Sequence, residues 1–130
     1  MRASEKAPRA MSSLPIPIQI VSAPVSLGEL RRIAAPQFGD FVKAVVDVRR
    51  GVMAIGGELH ADEEALLLQD GGDQAQLWGI NLYPDRPTSE LVEFDSMINV
   101  RPSQGNRSRG VEDAEVRRRI QEIVGRLVVP

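Results

Sequence analysis

The sequence predicts an α+β domain in which two amphipathic helices pack on one face of an antiparallel sheet of four to five strands. Apolar and polar residues alternate in several segments, as in strands, and apolar residues recur at helical spacing in two others. The chain has 130 residues, a length typical of one domain. We therefore expect a mobile N-terminal tail at 1–15 and a single domain at 16–130.

The first elements are a short strand and a capped helix. The segment 16–21 is β-branched, and its Pro17 favours an edge strand. Ser26 and Glu29 then have the spacing of a capping box, in which the serine side chain accepts a backbone hydrogen bond from the third helical residue. The helix is expected to end before Pro36, because a residue that precedes proline disfavours helical geometry.

A β-hairpin is predicted next, centred on Arg50 and Gly51. If these two residues form a two-residue turn, Glu58 continues the return strand and lies opposite Lys43. The following segment, 62–69, has the composition of a short helix, but its position between two strands suits a strand. The strand is the slightly favoured interpretation.

The second half of the chain predicts two further strands and a helix. The segment 77–83 alternates, with Trp78 on the core side, and 90–101 alternates again. A polar loop at 102–110 leads to a helix that begins near Val111. The apolar stripe of this helix is Val116, Ile120, Ile123, Val124 and Leu127.

Composition argues against several classes of function. The chain has no cysteine, which excludes disulfides, thiolate catalysis and cysteine-ligated metals. A net charge of -2 and an aromatic content of 4% argue against nucleic acid as a partner. No apolar run reaches the roughly 18 residues of a membrane span. We therefore expect a cytoplasmic protein without membrane contact.

One face of the predicted sheet has an unusual set of polar residues. Aspartate and asparagine are disfavoured in strands, and departures from local preference often mark functional places. An antiparallel sheet can also leave one face to water without any function, so both interpretations stay open. The polar residues of this face are Asp47, His60, Asn81, Asp95 and Asn99.

Glu58, His60 and Asp62 form the pattern E-x-H-x-D, which places all three on one side of a continuous strand. With Asp47 or Asp95 from other strands, they would suit a divalent cation that activates water. Glu58, His60 and Asp95 are accordingly the catalytic candidates of a small metal-assisted hydrolase-like enzyme. In the alternative, Glu58 pairs with Lys43 and His60 is half-buried at the end of the sheet.

The loop before the last helix is the second candidate site. Guanidinium groups bind phosphate and carboxylate, and a helix N-terminus adds free N–H donors. Glu112 and Asp113 follow directly and would pair with the arginines in the alternative interpretation. Together with Asn81 and Asn99, this loop predicts binding of an anionic small molecule or of a protein partner. We call it the arginine loop, and its polar residues are Arg101, Gln104, Asn106, Arg107 and Arg109.

Several strings of the sequence resemble a family of small bacterial proteins known as a domain of unknown function. They are QFGD followed by KAVVDV, then GGELHADEEALLL, LWGINLYP and EFDSMINVRPSQGNRSRGVED. The resemblance extends over 18–127. It implies a single domain and supplies no activity, cofactor or site residue.

The sequence therefore favours a small non-catalytic binding module over a metal-assisted hydrolase. The module would engage an anionic ligand or partner through the polar sheet face and the arginine loop. The hypothesis depends on strand parity, because His60, Asn81 and Asp95 must lie on a common surface. Composition and motifs define neither a cofactor nor an oligomeric state.

Overall fold

The core of the protein is a five-stranded antiparallel sheet. A computed structural model describes residues 17–130, so the predicted tail at 1–15 and the start of the predicted first strand lie outside the described residues. The strands are β1 (Gln19–Val21), β2 (Val25–Ser26), β3 (Val42–Asp47), β4 (Val52–Ile55), β5 (Leu77–Leu82), β6 (Val92–Glu93) and β7 (Val128–Val129). The helices are α1 (Leu27–Ala34), α2 (His60–Gln69) and α3 (Ala114–Leu127). The order of strands in the large sheet is β1-β4-β3-β5-β6.

Helices cover both faces of this sheet. On one face, α1 and α3 bury residues such as Leu30 and Ile123 against Val46 and Ile80. On the other face, Leu67 of α2 packs with the smaller cluster of Val45, Ala54 and Leu77. The predicted α+β class, with two amphipathic helices on one face of the sheet, is confirmed. The expectation of a wet second face is wrong, because α2 covers much of it.

The segment 62–69 is a helix, so the favoured strand interpretation is wrong. The return strand β4 ends at Ile55, because Gly56 has φ of 98° and leaves the extended region. Helix α2 then begins at His60, and Asp62 and Glu63 lie in its first turn, where the helix dipole favours acidic side chains.

The hairpin turn is longer than the two-residue turn expected from Arg50 and Gly51. Asp47 pairs with Val52, so four residues, 48–51, connect the strands. The Asp47 side chain accepts hydrogen bonds from the backbone N–H groups of Arg49 and Arg50 at 3.1 and 2.9 Å, which stabilises the wider turn. The register differs from the expected one by two residues. Each strand side chain therefore keeps its predicted face.

The predicted strand 90–101 is wrong beyond Glu93, where β6 ends. The free edge of β5 is completed by side chains instead of a strand. The N–H of Gly79 donates to Asn99 Oδ1 at 2.8 Å, and Asn99 Nδ2 donates to the Gly79 carbonyl at 2.9 Å. The Arg101 guanidinium donates to the carbonyl of Leu77. Asn99 and Arg101 thus take the place of a strand ladder along this edge.

A small parallel sheet connects the start of α1 with the end of α3. Val25 pairs with Val128, and Ser26 pairs with Val129. Ser26 Oγ also accepts a hydrogen bond from the backbone N–H of Glu29 at 3.0 Å, which confirms the predicted N-cap. Both helices on this face are therefore fixed at adjacent ends.

Candidate functional site

A cleft of about 450 Å³ lies between the sheet, the start of α2 and the segment after β6. This volume is within the range of small-molecule sites, which hold ~300–1,000 Å³. We call it the α2 cleft. Its polar lining residues are Lys43, His60, Asn81, Tyr83, Glu93, Asp95, Ser96 and Arg109. Its apolar lining residues are Phe41, Leu59, Ala61, Met97 and Ile98.

The floor of the α2 cleft is a row of three polar residues that crosses three strands. Lys43 pairs with Asn81, and Asn81 pairs with Glu93, so their side chains lie on the same face of the sheet. Asn81 Nδ2 donates to Glu93 Oε1 at 2.8 Å, and the Tyr83 hydroxyl donates to the same oxygen at 3.0 Å. Burial, assisted by this contact with Glu93, raises the pKa of Tyr83. The row therefore holds Glu93 in one orientation.

Asn81 leaves one polar atom of the floor unsatisfied. The residue is 6% exposed, and its Oδ1 is buried without a hydrogen-bond partner among residues 17–130. Buried acceptors without a partner are uncommon in folded proteins. Because Asn81 lines the cleft, an unused acceptor lies at its floor.

His60 is the first residue of α2 and lines the cleft while only 8% exposed. Its Nε2 lies 2.8 Å from the carbonyl oxygen of Ile80. Because a carbonyl only accepts, Nε2 carries the proton, and Nδ1 is left as an acceptor in the neutral ring. Burial lowers the pKa of His60 from its ordinary value, and the hydrogen bond to Ile80 opposes this only in part. The imidazole is therefore neutral at pH 7.

Arg109 and Asp95 form an ion pair at the side of the cleft, with Nε and Oδ1 2.6 Å apart. The hydrogen bond that Arg109 donates to Asp95 raises the pKa of Arg109. Lys43, in contrast, has no carboxylate within 4.0 Å in the described part of the chain, and its Nζ lies 5.1 Å from the centre of the Phe38 ring. Lys43 is thus the cation of the cleft whose charge is not offset by an ion pair.

The predicted E-x-H-x-D geometry is wrong, because no strand runs through these residues. Glu58 lies in the connection before α2 and not opposite Lys43, and Asp62 lies on the first turn of the helix. Both side chains belong to exposed residues, whereas His60 is buried. Over residues 17–130, no three His, Cys, Asp or Glu side chains are grouped as a metal site would require.

Side chains of the arginine loop form hydrogen bonds with the backbone of the loop and of neighbouring segments. Asn106 Nδ2 donates to the carbonyls of Asn99 and Gly110, both at 2.8 Å, and Asn106 Oδ1 accepts from the N–H of Glu112 at 2.8 Å. Arg101 donates to the carbonyls of Ile98 and Gln74, each at 2.9 Å. Asn99, Arg101 and Asn106 therefore face the chain and not the α2 cleft.

Glu112 binds the loop backbone, and not a guanidinium group. Its carboxylate accepts from the N–H groups of Arg107 and Ser108 at 2.8 and 2.9 Å, and these hydrogen bonds lower its pKa. Arg107 is exposed, and its side chain makes no hydrogen bond or ion pair with the residues that the structure describes. Of the predicted ligand residues, Asn81 and Arg109 line the α2 cleft.

The sequence interpretation missed Glu63, a fully buried carboxyl group of α2. Its Oε2 accepts from the N–H of Gly57 at 2.9 Å, and burial raises its pKa well above the ordinary value. A Cβ on Gly57 would lie 2.9 Å from Glu63 Cγ, so the glycine provides the space for this contact. The signals available in the sequence were the Gly-Gly pair and the spacing of Glu63 four residues before Leu67.

None of the helices within residues 17–130 has the length and apolar character needed to cross a membrane.

The comparisons with known proteins concern the family and not the ligand. A family model described as "Protein of unknown function (DUF5674)" matches residues 19–127, which confirms the resemblance to a domain of unknown function. No curated protein and no solved structure matches the chain. The match covers most of the sequence, and the chain therefore belongs to the family of proteins of unknown function DUF5674.

Proposed function

We propose that this protein is a binding module that takes up a small molecule with an anionic group in the α2 cleft. One observation carries the proposal. Side chains from separate segments of the chain, including Lys43, His60, Asn81 and Arg109, converge on a single cleft of about 450 Å³. Such convergence of a few polar groups in a concave site is typical of ligand-binding sites.

One charge of the α2 cleft, that of Lys43, favours a bound anion. Arg109 is neutralised by Asp95, and Glu93 accepts two hydrogen bonds, but Lys43 is half-buried without an ion-pair partner in the described chain. A partly buried charge without a partner loses hydration, and a bound anion offsets this loss. The ligand anion is therefore expected to contact Lys43.

The start of α2 also favours a bound anion. Leu59, the N-cap residue, makes no side-chain capping bond, and Leu59, His60 and Ala61 all line the cleft. The first N–H groups of a helix lack partners within the helix, and they carry a partial positive charge. Because His60 is neutral, it contributes hydrogen bonding and no charge.

Hydrolysis is not part of this proposal. The predicted catalytic set of Glu58, His60 and Asp95 is divided, since only His60 and Asp95 line the cleft. The Nε2 proton of His60 is also held by the Ile80 carbonyl. A protein partner, a cytoplasmic location and a bacterial source stay predictions from the composition of the chain and from the family resemblance.

The test is an NMR titration of the isotope-labelled protein with acetate and with inorganic phosphate. We expect saturable shifts of the amide signals of Lys43, His60, Ala61 and Asn81. In Lys43→Met, which keeps the apolar stem and removes the charge, affinity should fall about ten-fold, as expected for loss of a charge-assisted contact.

Arg107→Met is the matched control, because it removes the same charge at an exposed position outside the α2 cleft. Its affinity for both anions should stay within about two-fold of that of the unaltered protein. The proposal is overturned if no saturable shift occurs, if the shifts centre on 101–108, or if both variants lose affinity equally.

A further inference from the structure

The floor of the α2 cleft contains a carboxylate as well as an ammonium group without an ion-pair partner. Glu93 has no Lys, Arg or His side chain within 4.0 Å in the described part of the chain, although it lies in the same row as Lys43. Two strand spacings separate the backbones of Lys43 and Glu93, about 10 Å. The row thus presents a cation and a carboxylate that do not neutralise each other.

Asn81 lies between these two charges and strengthens the negative side of the floor. Its Nδ2 is directed to Glu93, while its buried Oδ1 has no partner among residues 17–130. An ammonium group has three donors and no acceptor, so it would satisfy both a carboxylate and an amide oxygen. The floor therefore has two acceptors, the Glu93 carboxylate and Asn81 Oδ1, for an ammonium group of a ligand. They lie in the same row as the ammonium group of Lys43.

The border of the α2 cleft is apolar. Leu59 is 57% exposed and Met97 is 65% exposed, and both line the cleft. They belong to different segments, the connection before α2 and the turn after β6. These exposed side chains give an apolar group of a ligand a surface to contact. The border therefore suits a short aliphatic group.

We propose that the α2 cleft binds a free amino acid with an apolar side chain. The ligand carboxylate contacts Lys43 and the N-terminus of α2, the ligand ammonium contacts Glu93, and the aliphatic side chain lies against Leu59 and Met97. This inference rests on the proposed function and specifies the chemical class of its ligand. A ligand with only the carboxylate would leave Glu93 unpaired beside a second negative charge.

The test compares L-leucine with analogues that each lack one recognition group. N-acetyl-L-leucine lacks the ammonium charge, L-leucinamide lacks the carboxylate, and glycine lacks the side chain. We expect L-leucine to bind about ten-fold more tightly than each analogue, as expected for loss of one contact per analogue. Affinities are measured by calorimetry and by NMR titration on the unaltered protein, so this comparison does not depend on the folding of a variant.

Two variants then assign the contacts. Glu93→Gln should lower the affinity for L-leucine about ten-fold, because L-leucine has the ammonium group. The affinity for N-acetyl-L-leucine, which lacks this group, should change by no more than about two-fold. Glu90→Gln is the control, since Glu90 is exposed and lies outside the cleft. Leu59→Ala, which removes the apolar side chain without adding a capping group, should weaken L-leucine and leave glycine unchanged.

The outcomes separate the two proposals. If N-acetyl-L-leucine binds as tightly as L-leucine, or if glycine does, the amino-acid inference is overturned while anion binding stands. If L-leucinamide binds as tightly as L-leucine, the roles of Lys43 in both proposals are overturned. If acetate, phosphate and all four compounds fail to bind, both proposals are wrong.

Discussion

His60 is the residue whose acid–base chemistry is altered by its position in the fold. It is the one histidine of the chain, and its imidazole is buried against the Ile80 carbonyl. Its pKa in the folded protein is lower than the ordinary value of about 6.5 that it has in the unfolded chain. Between these two values the unfolded chain binds more protons than the folded protein. The contribution of His60 to stability is therefore present above pH ~6.5 and is lost as the pH falls towards the folded pKa.

We predict that, between about pH 7 and pH 5.5, the stability of the unaltered protein falls relative to that of His60→Gln, because Glu63, whose raised pKa acts in the opposite direction, is common to both proteins. Each unit by which the pKa is lowered corresponds to about 1.4 kcal/mol. Urea unfolding at both pH values measures the effect, and the carboxylates common to both proteins cancel in the comparison. Because the chain has one histidine, its ring protons also report the pKa directly by NMR. A measured pKa at or above ~6.5 would contradict the prediction.

The sequence identified which residue types form the site better than it identified where their side chains point. Residue type singled out His60, Asn81, Asp95 and Arg109, and all four line the α2 cleft, although only Asn81 lies in a strand. The same reasoning selected Asn99, which instead pairs with the Gly79 backbone. Whether an amide faces a ligand or the chain depends on where a neighbouring strand ends. Residue type contains no information about that boundary.

At the level of elements, the contact between β5 and the segment after β6 depends on a glycine. A Cβ on Gly79 would lie 2.5 Å from both Cβ and Oγ of Ser96. The absence of a side chain at Gly79 therefore lets the segment that carries Asp95 and Met97 approach the sheet. This approach forms one side of the α2 cleft.

We predict that Gly79→Ala destabilises the protein by about 1–3 kcal/mol through overpacking. Gly125→Ala is the matched control, because a Cβ there meets nothing within 4 Å and Gly125 lies inside α3. That substitution should stabilise the helix by roughly 0.5–1 kcal/mol. Chemical denaturation of both variants gives the two values.

A double-mutant cycle with Ser96→Gly tests the cause of the Gly79→Ala effect. If the steric conflict with Ser96 is responsible, Gly79→Ala should be much less destabilising when Ser96 is already glycine. Simple additivity of the two substitutions would show that the conflict lies elsewhere.

The helices differ in how well the sequence predicted them. Helices α1 and α3 have capping residues and apolar stripes, and both helices are confirmed, although α3 begins at Ala114 and not near Val111. Helix α2 buries His60 and Glu63 together with Leu67, so polar side chains lie on its inner face. The apolar period that signals a helix is therefore absent from α2. Hydrophobic pattern alone could not reveal the layer that covers the second face.

At the level of the whole molecule, the three layers predict a gradient of local stability. Strand β3 is the centre of the sheet, and all but one of its residues are buried beneath helices on both sides. Strands β1 and β6 are the short edges. Local opening at an edge breaks fewer buried contacts than opening at the centre.

We predict that the amides of β3 and β5 exchange hydrogen most slowly, near the rate of global unfolding, and that those of β1 and β6 exchange earlier. Native-state exchange followed by NMR at low denaturant concentrations measures these rates. If the amides of β1 and β6 were as strongly protected from exchange as the amide of Val45, the prediction would be wrong.

The side chains that complete the edge of β5 also affect contacts between molecules. An open strand edge can recruit a strand from a second protein, and this is a common origin of aggregation. Here the Gly79 peptide is occupied by the Asn99 amide and the Leu77 carbonyl by the Arg101 guanidinium. A foreign strand must displace both groups before it can align along β5. Two residues that resemble ligand contacts in the sequence thus protect the protein against intermolecular β-sheet growth.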